Sequence, residues 1–103
     1  ITMTNLTLEE QKLLDGVESI ICDYFNVDAN SIVNNDRRSN VTLARGMIIY
    51  MLHTKYGFSA NKLANIYFRT RRAIFWHISK IGYIIKKQKT YIKIYEEICS
   101  RVE

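Results

Sequence analysis

The segment FRTRRAIFWHISKI, residues 68–81, places three arginines directly before a run of apolar residues. Arg69, Arg71 and Arg72 stand where a helix is predicted to begin, at the positive end of its dipole. Cations at this position are destabilised by the positive end of the dipole and by one another unless an anion binds there. Such arginines serve as phosphate clamps or as bidentate readers of guanine, and the sequence leaves both alternatives open.

The distribution of charge along the chain also points to an anionic partner. The net charge is +5, but residues 1–36 carry seven acids against one base, Lys12. Residues 37–95 carry thirteen lysines and arginines and no Asp or Glu over 59 positions. Soluble surfaces normally mix both signs, so this pattern is typical of a protein that binds a phosphate backbone. An AT-rich genome would explain many of the lysines and isoleucines but not the missing acids.

Composition limits the fold class and excludes several functions. The chain has 103 residues, no proline and four glycines, which favours a single all-α domain over residues 3–103. It has no apolar run of membrane-spanning length and no signal-peptide pattern, so we expect no membrane association. Cys22 and Cys99 are isolated and lack metal-ligand spacing, which favours reduced thiols and a cytoplasmic location. No set of residues suggests catalysis, so we expect neither an enzyme nor a metal or cofactor site.

Capping signals and apolar periodicity predict the helices that position the arginines. Thr7 and Glu10 form a capping box for an acidic first helix over residues 8–25. The other predicted elements are a short helical turn capped by Asp28, an exposed loop at 35–40, a helix at 41–56 capped by Asn40 and stopped by Gly57, a short helix at 60–67 capped by Ser59, a helix at 71–87 capped by Thr70, and a final helix at 90–101.

A short helix, a tight turn and a second helix with a basic start form the helix-turn-helix arrangement. In the second helix, Phe75, Ile78, Ile81 and Ile85 are predicted to face the core. Trp76 lies one step from Phe75 and is predicted to be partly buried. Ile74 is predicted either to pack on a thymine methyl group or to belong to the core.

In this order, residues 17 to about 98 resemble the C-terminal DNA-binding domain of the replication initiator DnaA, a Trp-repressor-like helical family. The matching segments are VESIICDYFNVDANSI, RRSNVTLARGMIIYML and FSANKLANIYFRTRRAIFWHISKI. The resemblance implies a small multi-helix bundle containing a helix-turn-helix, double-stranded DNA as partner, and a monomer, with a weak homodimer as the alternative.

The predicted recognition helix departs from the family pattern. That pattern opens with Arg-Asp-His followed by hydroxyl residues, whereas Thr70, Arg71 and Arg72 stand here, followed by Ala73 and Ile74. The scaffold is therefore similar while the base-reading residues differ. We expect the target sequence to differ from that of the family.

The loop before the long helix also differs from the family, in which an arginine there enters the minor groove. The matching position is Ser39, and the neighbouring Arg37 and Arg38 are predicted to take that role. The family's ATPase motif, G-x-x-x-x-G-K-[ST], does not occur, so the chain is not expected to be a complete initiator.

The sequence thus predicts double-stranded DNA binding in replication, transcription control or DNA packaging, with a phage or mobile element as a candidate source. One alternative is a protein interaction module whose acidic first helix docks a protein partner, and another is binding to structured RNA. The acidic helix either faces away from DNA or masks the basic half, 37–95. The predicted DNA-binding residues are Arg37, Arg38, Arg45, Ser59, Asn61, Lys62, Arg69, Thr70, Arg71, Arg72, Ile74 and Lys80.

Overall fold

The computed structural model describes residues 6–34 and 36–102, which form six α-helices and no β-strand. Residues 3–5 and 103 of the predicted domain, and Asn35 of the predicted loop, lie outside the described residues. The prediction of an all-α bundle is confirmed. The helices are α1 (Leu8–Phe25), α2 (Ala29–Val33), α3 (Ser39–Thr54), α4 (Ala60–Tyr67), α5 (Arg71–Lys87) and α6 (Lys89–Val102).

Side-chain caps set three helix starts where the sequence predicts them. The Thr7 hydroxyl accepts the Glu10 N–H, and the Glu10 carboxylate accepts the Thr7 N–H, both at 3.0 Å. The hydroxyls of Ser59 and Thr70 each accept the N–H three residues further on, both at 3.1 Å. The predicted bounds of α1, α4 and α5 are confirmed because these caps depend only on neighbouring residues.

The start of α3 differs from the prediction by two residues. Ser39 is its first helical residue and Arg38 occupies the N-cap position without a side-chain cap bond. Asn40 lies inside the first turn, so the prediction that it caps the helix is wrong. The Asp36 carboxylate accepts the Arg38 N–H at 3.0 Å and thereby fixes the entry of the chain into the helix.

The hydrophobic core surrounds α3, which packs against α1, α2, α4 and α5. Burying an aliphatic side chain of this size contributes about 1.5–3 kcal/mol relative to leaving it exposed. A helix buried on most sides therefore dominates the stability of the bundle. Its buried apolar residues are Val41, Ala44, Met47, Ile48, Ile49, Met51 and Leu52.

The buried face of α5 matches the predicted one at Ile78, Ile81 and Ile85, which are buried or packed against the core. It differs at the start of the helix, where Ile74 is buried and Phe75 is 45% exposed, so the prediction of a core-facing Phe75 is wrong. Trp76 is 52% exposed, about half-buried as predicted.

A close contact between α3 and α5 fixes which face of α5 is buried. A Cβ atom on Gly46 of α3 would lie 2.9 Å from Ile81 Cγ1 and 3.4 Å from His77 Nδ1. Only the absent side chain of Gly46 lets the two helices approach this closely. Because Ile81 seats against Gly46, the residues three and four positions away from Ile81 also face α3.

The two cysteines lie in different environments. Cys22 is buried and Cys99 is half-buried, and both are free thiols. Burial raises the pKa of the Cys22 thiol to about 11, which keeps it protonated near neutral pH.

No helix in the described part of the chain combines the length and apolar character needed to cross a membrane.

Replacing Gly46 with Ala should destabilise the fold by about 1–3 kcal/mol, because the new methyl group overlaps the buried Ile81 side chain. The matched control is Gly16→Ala in α1, where a Cβ meets nothing within 4 Å. That change should stabilise the protein by about 0.5–1 kcal/mol, since Ala is the better helix former. Urea unfolding of both variants measures the difference, and equal stabilities would contradict the close contact.

Candidate nucleic-acid interface

Helices α4 and α5 are joined by a three-residue turn over 68–70. Phe68 ends α4 in the left-handed conformation, with φ 55 and ψ 47. The Ala64 carbonyl accepts the N–H groups of both Phe68 and Arg69, the latter at 3.0 Å. This left-handed stop turns the chain sharply, so that the capped start of α5 projects beside α4.

The outward face of α5 carries alternating cations and aromatic rings. Successive helical residues are about 100° apart, so Arg72, Trp76 and Tyr83 lie opposite the buried Ile74 and Ile81. Each of these three side chains is exposed. We call this set, with the adjacent Lys80 and Lys87, the outward face of α5.

The two arginines at the start of α5 remain available to a ligand. Arg71 and Arg72 are exposed, and neither forms an ion pair with any residue that the structure describes. The Arg71 guanidinium lies 5.9 Å from the centroid of the Phe75 ring. Thr70 is also exposed but uses its hydroxyl as the helix cap. Two unpaired cations therefore stand beside the free N–H groups of the first turn.

A recess of about 360 Å³ separates the start of α3 from the middle of α5. Arg37 and Ser39 line it from the α3 side, and His77 and Lys80 line it from α5. Arg37 and Lys80 are both exposed, so two cations converge on the opening. This recess brings the predicted loop arginine and the predicted helix lysine into one surface.

Arg38 is held by an acid of its own loop. Its Nη2 lies 2.8 Å from Asp36 Oδ2, and its Nε also donates to the carboxylate at 3.1 Å. These hydrogen bonds from Arg38 lower the pKa of Asp36 to about 2. The Arg38 side chain is nevertheless 67% exposed, so its predicted role at DNA stays a prediction.

Arg45 is a structural residue, and its predicted contact with DNA is wrong. The residue is 4% exposed, and its guanidinium points into the protein. Its Nε donates to the Ile32 carbonyl at 2.7 Å, and its Nη2 donates to three further carbonyls at 3.0–3.1 Å. Those three acceptors are the carbonyls of Ser31, Asn34 and Asp36.

Ile74 is likewise unavailable to DNA, and its assignment as a contact residue is wrong. Its exposure is 0%, because it faces α3 and α4 from the first turns of α5. Of the two predicted alternatives, membership of the core is therefore confirmed.

Arg69 connects the helix-turn-helix to the segment before α3. Its Nη1 donates to the Tyr67 carbonyl at 2.9 Å, and its Nη2 donates to the Asn34 carbonyl at 3.0 Å. Asn34 thus accepts from both Arg69 and Arg45. Arg69 is half-buried, and its predicted phosphate contact stays a prediction.

The start of α4 is tied to the acidic first helix. Lys62 Nζ lies 2.7 Å from Glu10 Oε2, and both side chains are largely covered. The hydrogen bond from Lys62 is the main cause that lowers the pKa of Glu10. Ser59 and Asn61 are exposed beside this ion pair. Lys62 would have to exchange its carboxylate partner for a phosphate to bind DNA, and that contact stays a prediction.

The sequence interpretation missed the exposed aromatic residues of α5. Phe75 and Trp76 were assigned to packing, and Tyr83, on the same outward face as Trp76, is 64% exposed. A usable signal was present in the spacing, because Trp76 stands four residues from both Arg72 and Lys80. Residues four apart share one helix face, so a tryptophan between two cations belongs to the charged side.

His77 is the polar residue at the centre of this surface. It is 7% exposed, lines the recess and makes an edge contact with the Trp76 ring at 5.0 Å. Burial, together with the nearby cations Arg45, Arg69 and Lys80, lowers the pKa of His77 to about 4. His77 is therefore neutral near pH 7 and adds no charge to the surface.

Comparisons with known proteins agree with the resemblance seen in the sequence. No protein-family model matches the chain. It is 29% identical over 89 residues to the chromosomal replication initiator protein DnaA of Pseudothermotoga lettingae, an alignment covering 86% of this chain and 19% of that protein. The DnaA protein of Campylobacter jejuni subsp. doylei is 24% identical over 95 residues, covering 91% of this chain and 22% of that protein.

The chain spans about a fifth of the length of the curated relatives it matches. The matched part lies at the C-terminal end of DnaA. The predicted resemblance to the C-terminal region of DnaA is therefore confirmed as weak homology.

Replacing Arg45 with Lys should lower the free energy of unfolding by about 2–3 kcal/mol, because one ammonium group cannot reach all four backbone carbonyls, one buried and three partly buried, that the guanidinium serves. The control is Arg37→Lys, an exposed change expected to stay within about 0.5 kcal/mol of the parent. Urea unfolding compares the two. Equal stabilities would show that the Arg45 guanidinium does not hold the segment before α3.

Stability should fall as the pH drops from about 6.5 towards 4. In that window an unfolded histidine binds a proton that the buried His77, with its pKa of about 4, excludes. The expected loss between pH 7 and pH 5 is about 2 kcal/mol. His77→Gln has no such group and should show a flatter profile in urea unfolding at pH 7, 6 and 5. Parallel profiles for the two proteins would refute the assignment.

Proposed function

We propose that this chain, a relative of the C-terminal region of DnaA, binds double-stranded DNA with its helix-turn-helix. The observation that carries the proposal is the pair of exposed arginines at the capped start of α5, neither of which forms an ion pair within the part of the chain that the structure describes. The 59 residues around them contain thirteen cations and no carboxylate. Such a surface attracts the phosphate backbone through counterion release.

In the proposed complex, the amino-terminal half of α5 enters the major groove. That groove is about 12 Å wide and admits an α-helix. Arg71 and Arg72 then reach base edges or phosphates, while Arg37 and Arg38 approach the adjacent minor groove or its backbone. Lys80 faces the strand that separates the two grooves.

The recess between α3 and α5 suits a backbone phosphate in this arrangement. Arg37 and Lys80 supply charge on its two sides, and the Ser39 hydroxyl and the exposed amides of the first turn of α3 supply further donors. Such contacts fix the register of a protein on the duplex and carry no sequence information of their own.

The proposed biological role follows the names of the relatives, which are chromosomal replication initiator proteins. We propose binding of DNA in replication initiation first. Transcription control and DNA packaging, with a phage or mobile element as the source, are the second set of roles. The proposed activity is binding without catalysis, and it belongs in the cytoplasm, where bacterial DNA is found.

The test is fluorescence anisotropy of labelled random-sequence duplex, single-stranded DNA and duplex RNA at about 50 and about 200 mM salt. Selection and sequencing of the bound duplexes follow. We expect duplex DNA to bind most tightly and with a steep salt dependence. Preference for duplex RNA would replace the proposal with RNA binding, and absence of binding at low salt would refute both.

Replacing Arg71 and Arg72 together with Ala should weaken duplex binding at least about tenfold, since each contact contributes roughly 1 kcal/mol or more. The slope of log affinity against log salt should fall by about 2 if both residues contact phosphates. The charge-matched control removes the exposed Lys12 of α1 and Lys93 of α6. An equal effect of the two double variants would mean that net charge, rather than the start of α5, determines affinity.

A further inference from the structure

Trp76 is the exposed aromatic residue whose surroundings are best defined. It is 52% exposed on a helix that otherwise shows mainly cations to solvent. Its position lies about 200° around the helix from Ile74, so no part of the core requires it. Such a side chain is available for contact with a partner.

Two neighbours contact the indole. The Lys80 ammonium lies 4.7 Å from the ring centroid, within cation–π distance. The buried His77 ring meets the indole at an interplanar angle of 77°. Since His77 is fixed by the core, the indole is oriented before any ligand binds. A pre-oriented apolar surface loses little conformational entropy on binding.

A shallow hollow of about 390 Å³ lies beside the ring, lined by Thr70, Arg72, Ala73 and Trp76. Trp76 and Ala73 give the hollow an apolar surface, and Arg72 adds a guanidinium group. In the major groove, thymine presents a methyl group, and guanine presents two acceptors that match one arginine. A thymine next to a guanine fits this pair of side chains.

Building on the proposed function, we propose that Trp76 is a specificity-determining residue that packs its indole on a thymine methyl group in the major groove, with Arg72 on a neighbouring guanine. Ile74, for which a thymine contact was one of the two predicted alternatives, is fully buried and cannot reach the methyl group. Trp76 lies two positions further along, on the side of α5 that faces outward.

The test isolates the methyl group itself. Duplexes enriched by selection are compared with copies in which deoxyuridine replaces thymine, which removes only the C5-methyl groups. The parent protein should bind the substituted duplex about fourfold more weakly at one position, the value of one buried methyl group. Trp76→Ala should bind both duplexes equally well.

Tyr83→Ala provides the matched control, since Tyr83 is an exposed aromatic residue on the same face, seven residues away. It should keep the discrimination between thymine and deoxyuridine. Circular dichroism confirms that each variant is folded. Trp76 is also the chain's one tryptophan, so its emission should change when the selected duplex saturates the protein.

The outcomes separate this inference from the proposed function. Duplex binding with unchanged tryptophan emission, with no enriched thymine, or with equal loss of discrimination in the Tyr83 variant would overturn the role of Trp76 and leave DNA binding in place. Tighter binding to single strands, with a larger emission change, would overturn it in favour of base stacking. No binding to any duplex would refute the proposed function itself.

Discussion

The buried guanidinium of Arg45 is the interaction on which the geometry of the basic surface depends. A buried charge is costly unless all its donors are satisfied, and here four backbone carbonyls between residues 31 and 36 surround it. Helix α2 has only five residues and provides little structure of its own in that segment. The side chain from α3 therefore fixes the path of the chain up to Asp36, directly before Arg37 and Arg38.

The acidic first helix uses its carboxylates within the fold. Glu10 pairs with Lys62 of α4, and Glu18 accepts the Tyr67 hydroxyl at 2.7 Å. Burial raises the pKa of Glu18, and the hydrogen bond from Tyr67 opposes that shift. Among the described ion pairs, none connects α1 with α5. The acidic helix thus meets the basic half at Lys62 of α4, while the described ion pairs leave the cations on the outward face of α5 without a carboxylate partner.

The parts of the fold that depend on near neighbours could be predicted from the sequence. The caps at Thr7, Ser59 and Thr70 each require only a residue three positions away, so their helices were placed correctly. The burial of Ile74 was predictable, since it lies two turns before Ile81 on the same face, whereas Phe75 does not. The contact between Gly46 and Ile81 joins residues far apart in sequence, so periodicity could not reveal it.

The burial of Arg45 was hidden for the same reason. Its four acceptors are backbone carbonyls, and backbone groups carry no residue-type signal in a sequence. In a sequence, an arginine early in a basic helix cannot be distinguished from a surface cation, because its burial depends on how the preceding segment folds over the guanidinium. The charge pattern therefore predicted the kind of surface but not which of its arginines belong to it.

The Asn34 carbonyl, which accepts hydrogen bonds from both Arg45 and Arg69, has a consequence for the kinetics of dissociation. It ties the segment before α3 to the turn between α4 and α5, so the two halves of the basic surface cannot move independently. Because the two parts of the surface are already ordered in the folded protein, binding a ligand costs little further conformational entropy. Differences between good and poor ligands are then expected in the lifetime of the complex, since each dissociation must release both halves at once.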